Sequence, residues 1–246
     1  MKLGLVSVSF RDKSPREILQ AMADCGLGYI EWGSDVHCPP EQAEEIADLQ
    51  NQYGVVCCSY GTYFRLDVTT LEELPQYIRA AKCLGTDILR LWCGDRHPER
   101  YAPEEREALF SQCRQAAKMA EQAGVTLCME CHMKTYTETK EGALELMEAV
   151  ASPAFRMYWQ PNQYRTEEEN LESARLLAPY TRHIHVFHWK GKEKYPLLEA
   201  KAAWQRYLSC FRGRHCLLLE FMPDGKLQSL PAEAAALKEI VHDISV

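Results

Sequence analysis

Long apolar runs are missing from this chain of 246 residues. No stretch approaches the roughly 18 uninterrupted apolar residues that a membrane-spanning helix requires, so a helical membrane protein is excluded. The amino-terminal stretch MKLGLVSVSFRDKS carries one early lysine and passes straight into an apolar strand. It has no long apolar region and no small-residue cleavage site, so the expected location is cytoplasmic. Positive charge is also in deficit: 28 Lys and Arg stand against 35 Asp and Glu, a formal net charge of −7. Phosphate-backbone contacts need clustered Lys and Arg, so nucleic acid is not an expected partner.

Paired metal-binding or redox cysteines are scarce as well. The 11 cysteines are an odd number, which fits free thiols in a reducing compartment. Cys128 and Cys131 form the one C-x-x-C, but it falls in a predicted strand, where residues three apart face opposite sides. A dinucleotide fingerprint is absent too: Gly26-Leu27-Gly28 follows a helix and precedes a strand, the reverse of the order required. No linker, low-complexity tract or break in composition divides the chain, and residues 1–246 read as one domain.

What is present is an alternation. Apolar strand-like runs are expected at 3–9, 29–32, 55–60, 87–92, 125–129, 155–159, 183–188 and 216–221. Helical segments separate them. The first is announced by Ser14-Pro15-Arg16-Glu17, with Ser14 as N-cap, Pro15 at N1 and Glu17 at N3. The others are expected at 41–53, 71–84, 103–123, 140–150, 167–177, 201–211 and 232–243, and several stop at a glycine just before the next strand. Eight strand–helix units of roughly thirty residues predict parallel strands with helical crossovers, closing as a (β/α)₈ barrel. An open doubly wound sheet is the alternative.

In such a barrel the site is built where the carboxyl ends of the strands converge. Leu127-Cys128-Met129-Glu130-Cys131-His132 displays the principle: the apolar strand ends in a carboxylate and an imidazole two residues apart, which point the same way. The other strands deliver Ser9 and Phe10; Glu31 and Trp32, with His37 beyond; Tyr60 and Tyr63; Arg90 and Trp92; Gln160 and Asn162; His185 and His188; and Glu220. Glu130, Gln160, His185 and Glu220 come from four successive strands. Their oxygen and imidazole donors suit a divalent ion such as Mn²⁺, Mg²⁺, Co²⁺ or Zn²⁺. The aromatic residues would wall a small polyol. Arg90 also reads as a charge filling the barrel interior.

With IEWGSDVH, SYGTYFRL, LRLWCG, LCMECH, YWQPN, HIHVFHW and LLLEF on strands two to eight, the chain resembles the xylose-isomerase-like sugar isomerase/epimerase superfamily of TIM barrels. It looks closest to a bacterial branch of it. The resemblance covers essentially the whole chain and implies a divalent metal held by ligands from strands five to eight, usually Glu, Asp, His and Glu. These fall on Glu130, Gln160, His185 and Glu220. Gln160 departs from the family's Asp, and its amide oxygen can ligate but brings no charge. His185 and His188 lie three apart and face opposite sides of a regular strand; the resemblance assigns the ligand to His185. It further implies substrate contacts from Glu31, His37, Tyr60, Tyr63, Trp92, His132 and His188.

The chemistry implied is proton transfer next to a carbonyl through an enediolate, with Glu130 and Glu220 as the carboxylate pair. The substrate class is a small keto sugar or polyol. Dehydration through the same enolate is the alternative enzyme reading, and a sugar-binding barrel that has lost its metal is the non-catalytic one. An apurinic-site endonuclease would need more His and Asp ligands and a basic face. A homo-oligomer is compatible with the sequence, which names no other partner.

Overall fold

Ser14 does cap the first helix: its side chain accepts the Glu17 backbone N–H, and Glu17 reaches back to the Ser14 N–H. The computed structural model describes residues 1–244, and local signals of this kind mark several of its helices. Thr166 and Glu169 form the same reciprocal cap. Gly124 closes the long fourth helix at φ 70°, a left-handed position that glycine takes without strain.

Eight strands form the barrel: β1 (Lys2–Val6), β2 (Tyr29–Gly33), β3 (Val56–Leu66), β4 (Ile88–Cys93), β5 (Thr126–Glu130), β6 (Phe155–Trp159), β7 (Thr181–Val186) and β8 (Cys216–Leu219). The eight helices are α1 (Pro15–Asp24), α2 (Ala43–Gln52), α3 (Leu74–Cys83), α4 (Pro103–Ala123), α5 (Lys140–Val150), α6 (Glu167–Leu177), α7 (Lys201–Leu208) and α8 (Leu230–Ile244). All strand pairs of the barrel are parallel, and β1 pairs with both β2 and β8, closing it. The protein is therefore a (β/α)₈ barrel, not an open sheet. No helix among the described residues is long and apolar enough to cross a membrane.

Alternation along each strand sorts side chains into two layers. Leu127, Met129, Phe155 and Ile184 face outward and join the helices in the main core. Val6, Ile88, Cys128, Tyr158 and Leu218 face inward and fill the barrel. Lower in the barrel, Cys58, His183 and Cys216 bring three potential ligand atoms within 4.8 Å of one another. Both ring nitrogens of His183 already have backbone partners: Cys58 O lies 3.2 Å from Nε2, and the Cys216 N–H lies 3.2 Å from Nδ1. These contacts make it a satisfied structural histidine.

Most boundaries shift by one to three residues from the expected ones, and four strand ends bear on the site. β1 stops at Val6 and continues as a 3-10 turn over Ser7–Phe10. β7 ends at Val186, so His188 lies beyond it. β8 ends at Leu219, although the Glu220 N–H still bonds Val186 O at 3.0 Å. β3 runs on to Leu66 and is bulged: Ile30 pairs with Cys57 but Glu31 with Ser59, skipping Cys58. One extra residue reverses the in–out alternation downstream.

Candidate active site

At the carboxyl end of the barrel a buried ion network forms the floor. Arg90 donates from Nε to Glu31 Oε1 at 2.8 Å and from Nη1 to Glu130 Oε2 at 2.7 Å. The side chains of all three are at most 4% exposed, so each charge requires its partner. Room for this pairing depends on Gly61, where a Cβ would stand 2.5 Å from Glu31 Oε1 and 2.7 Å from Arg90 Nη2. Burial by itself would raise the Glu31 carboxyl, but Arg90 and His185 outweigh it and hold the group down at about 2. Glu130, against the same burial, lies well below the carboxylate range through Arg90 and His185.

Above this floor His185 occupies the centre. Its Nδ1 lies 2.8 Å from Gln160 Oε1, 3.6 Å from Glu220 Oε2 and 3.7 Å from Glu130 Oε1, and its Nε2 lies 3.5 Å from Glu31 Oε2. Glu130 divides its oxygens: Oε2 accepts from Arg90 and from the Trp92 indole N–H, while Oε1 faces His185. Glu220 has no such anchor among the described residues. Burial, helped by the like charge of Glu130, raises its carboxyl to about 7 against the pull of His185. His185, despite a burial that disfavours charge, is raised to about 10 by Glu220 and Glu31.

Glu130, His185 and Glu220 present ligand atoms within 4.8 Å of one another, with the Gln160 oxygen alongside. Glu31, Glu130 and Glu220 oppose one fixed cation, Arg90. With a neutral imidazole the cluster lacks two positive charges, the charge of one divalent ion. In the metal-free cluster that deficit favours protons on His185 and Glu220, whose pKa values are both raised. The donor set therefore fits a divalent cation.

The pocket over the cluster is about 170 Å³, small by the standard of drug-sized ligand sites. Arg90, Glu130, Gln160 and Glu220 supply its polar base, and Trp92, Phe187, Trp189 and Phe221 its apolar walls. His132 stacks on Trp92 with ring centroids 4.6 Å apart and lies with its Nδ1 2.7 Å from the Met133 carbonyl oxygen. Tyr63 packs edge-on to Trp92 at 5.1 Å. Phe221, directly after Glu220, adopts φ 52°, which a bulky side chain rarely tolerates. Its N–H is held by Ser9 Oγ at 2.9 Å. Strain of this kind concentrates at functional sites.

Of the residues expected at the site, Glu130, Gln160, Glu220, Tyr63, Trp92 and His132 line the pocket, with His185 in the cluster of potential ligand atoms beneath it. Glu31, part of that floor, does not reach the pocket and is fully buried against Arg90 and Ser59. Three others are not brought in. Tyr60 points outward through the β3 bulge and donates to Cys38 O at 2.6 Å. His37 is buried between Ser7 Oγ and the Lys13 carbonyl. His188 lies past the end of β7, with its Nδ1 3.1 Å from Pro196 O and its ring over Tyr195.

Sequence reasoning missed Trp189, Phe187 and Phe221. Trp189 opens a short hairpin, Trp189–Lys190 paired with Glu193–Lys194, and its ring stands 5.4 Å from Phe221 with Lys194 over both. The run Phe187-His188-Trp189 was visible as aromatic, but only the hairpin shows that it folds back over the pocket.

Fold and site together define a class: a barrel with a carboxylate–imidazole–amide cluster at the carboxyl ends of strands five to eight. The chain belongs to the xylose isomerase-like TIM barrel family, whose sequence profile matches residues 19–220. It is 22% identical to a 3-dehydroshikimate dehydratase of Bacillus anthracis, over 75% of this chain and 71% of that one. Among solved structures, an L-ribulose 3-epimerase superposes with a TM-score of 0.73 at 14% identity, covering 100% of this chain and 96% of the other. A xylose isomerase-like TIM barrel protein from Mycobacterium smegmatis in complex with magnesium superposes with a TM-score of 0.71 at 12% identity, covering 100% and 98%. At these identities the structural likenesses show the fold.

Proposed function

We propose that this protein is a divalent-metal-dependent isomerase or epimerase that moves a proton next to the carbonyl of a small keto sugar or polyol. The observation that carries the reading is the contrast between its two pocket carboxylates. Glu130 is kept ionised by Arg90 and the Trp92 N–H, while Glu220, among the described residues, meets no arginine and no N–H donor other than the His185 ring at 3.6 Å, which leaves its carboxylate the freer of the two to take and return a proton.

Glu130, His185 and Glu220, with Gln160, are the residues that would hold the ion. Bound there, a divalent cation supplies Lewis acidity that lowers the cost of an enediolate. Glu220 removes the proton from the carbon beside the carbonyl, with the ionised Glu130 as the second carboxylate of the pair and His132 lining the same pocket. Trp92, Phe187, Trp189 and Phe221 keep bulk water from the carbanionic species.

A second reading, dehydration through the same enolate, is favoured by one feature. With Glu130 tied down, Glu220 is the one free carboxyl, and a single group can take the C–H proton and then hand it to the departing hydroxyl as water leaves. The 22%-identical dehydratase supports it as well. Incubation in D₂O with Mg²⁺ or Mn²⁺ and a panel of keto sugars tests the first reading by deuterium uptake at the carbon next to the carbonyl. Ultraviolet absorbance of 3-dehydroshikimate mixtures tests the second. Absence of exchange from every keto sugar overturns the isomerase reading.

A further inference from the structure

At the opposite, amino-terminal end of the barrel, four arginines converge on a second cavity of about 560 Å³. Arg156 enters from β6, where it pairs with Cys128 and shares that residue's inward direction. Arg182 comes from β7, and Arg212 and Arg214 from the segment between α7 and β8. None of the four side chains forms an ion pair or hydrogen bond among the described residues. Elsewhere Arg11, Arg96, Arg106, Arg114, Arg165 and Arg206 each meet a carboxylate, while Arg79, Arg100 and Arg175 stand apart from one another without one; only here do four such arginines line a single cavity among the described residues. A chain with 35 acidic residues has carboxylates available, yet no acidic residue lines this cavity.

Arg182, Arg212 and Arg214 are exposed and Arg156 is half-buried, and the backbone that carries them is held in place. His215 is buried beside it, with Nδ1 3.0 Å from Arg182 O and Nε2 3.0 Å from Arg212 O. Its own carbonyl accepts the Lys2 N–H at 3.0 Å. One ring thus ties together the two backbone segments that present three of the arginines. Four like charges around one hollow repel each other, and that cost is relieved when an anion enters. Tyr180 and Pro179 add an apolar wall.

We infer that this cavity is a binding site for a small organic polyanion, one bearing two or more carboxylate or phosphate groups on a compact frame. Guanidinium forks bind either group in a bidentate manner. The arginines surround one hollow and do not form a stripe, which matches a small molecule and not a nucleic-acid strand. The overall charge of −7 conceals the site, because the basic residues gather only in the folded chain.

Isothermal titration of the intact protein tests the inference with two probes. Benzene-1,3,5-tricarboxylate carries three carboxylates on one flat ring. Pyrophosphate in excess Mg²⁺ supplies the phosphate arm, and the tighter probe identifies the preferred group. The expected result is saturable binding of one anion per chain, weakened as salt is raised. Arg182→Ala and Arg212→Ala should each weaken it on the order of tenfold, and Arg182→Lys by less. Glu220→Gln, at the other end of the barrel, should leave it unchanged. Absence of saturable binding for both probes, or binding that survives the combined Arg182→Ala and Arg212→Ala change, overturns the inference.

Discussion

His185 Nδ1 stands 2.8 Å from Gln160 Oε1, closer than to either Glu130 or Glu220. Gln160, which stands where the resemblance leads one to expect an Asp, is thus closer to the central imidazole than either carboxylate of the cluster. With Gln160 as an oxygen donor, Gln160→Asp exchanges a dipole for a full charge beside the ion. Divalent binding should tighten on the order of tenfold, about 1.4 kcal/mol. Turnover should slow, because extra negative charge disfavours an anionic enediolate. Parallel Mn²⁺ titrations of the two proteins decide it. Equal affinities would refute Gln160 as a ligand.

Arg90 bridges two buried carboxylates, so its loss takes the one arginine from both and leaves them to His185 and to the Ser59 and Trp92 donors. Arg90→Met should destabilise the protein by about 3–5 kcal/mol, read from urea unfolding. Glu31→Gln, which keeps size and a hydrogen bond to Arg90, should cost much less. A loss below about 1 kcal/mol for Arg90→Met would show that the network relaxes into solvent.

The metal-free protein should lose stability as pH rises. Burial together with Glu130 lifts Glu220 to about 7, and Glu220 and Glu31 lift His185 to about 10 despite burial. Both values exceed the ordinary 4.5 and 6.5, so the folded state holds more protons than the unfolded state across that window. The stabilisation is therefore complete at its acid side and fades towards its alkaline side. Glu31, held at about 2 by Arg90 and His185 against burial, works the other way and withdraws stability below its ordinary 4.5. Melting curves in chelator should peak near pH 5. Added Mn²⁺ should stabilise increasingly with pH, as binding displaces protons. A flat profile in chelator between pH 5 and 9 would contradict the charge balance derived for the cluster.

Trp92 donates to the same Glu130 oxygen as Arg90 and carries the His132 stack. Trp92→Phe preserves an aromatic surface but removes the N–H. The fold should survive, with a change under about 1.5 kcal/mol in unfolding free energy. Under the proposed reaction, kcat should fall by more than KM changes, since the lost bond orients Glu130 and does not bind substrate. An unchanged kcat would remove Trp92 from any positioning role.

Much of the barrel was legible in the sequence because its signals are local. Ser14–Glu17 and the glycine before each of several strands act within one turn of chain. α4, α5, β6 and α6 fall on the expected residues. Glu130 and Glu220 could be placed because a carboxylate ending an apolar strand faces inward by alternation alone.

What only the tertiary structure decided follows from interactions with no local trace. The bulge that turns Tyr60 outward arises from register between β2 and β3, and no composition announces a skipped residue. The end of β7 at Val186 sends His188 into a loop. The Trp189 hairpin folds an aromatic wall over the pocket, and at the barrel's other end His215 ties the backbone of Arg182 to that of Arg212. Alternation, capping and apolar patterning are properties of neighbouring residues, and a single sequence carries them. Register, loop return and the balance of buried charge depend on residues far apart in the chain, and only the closed barrel brings those together.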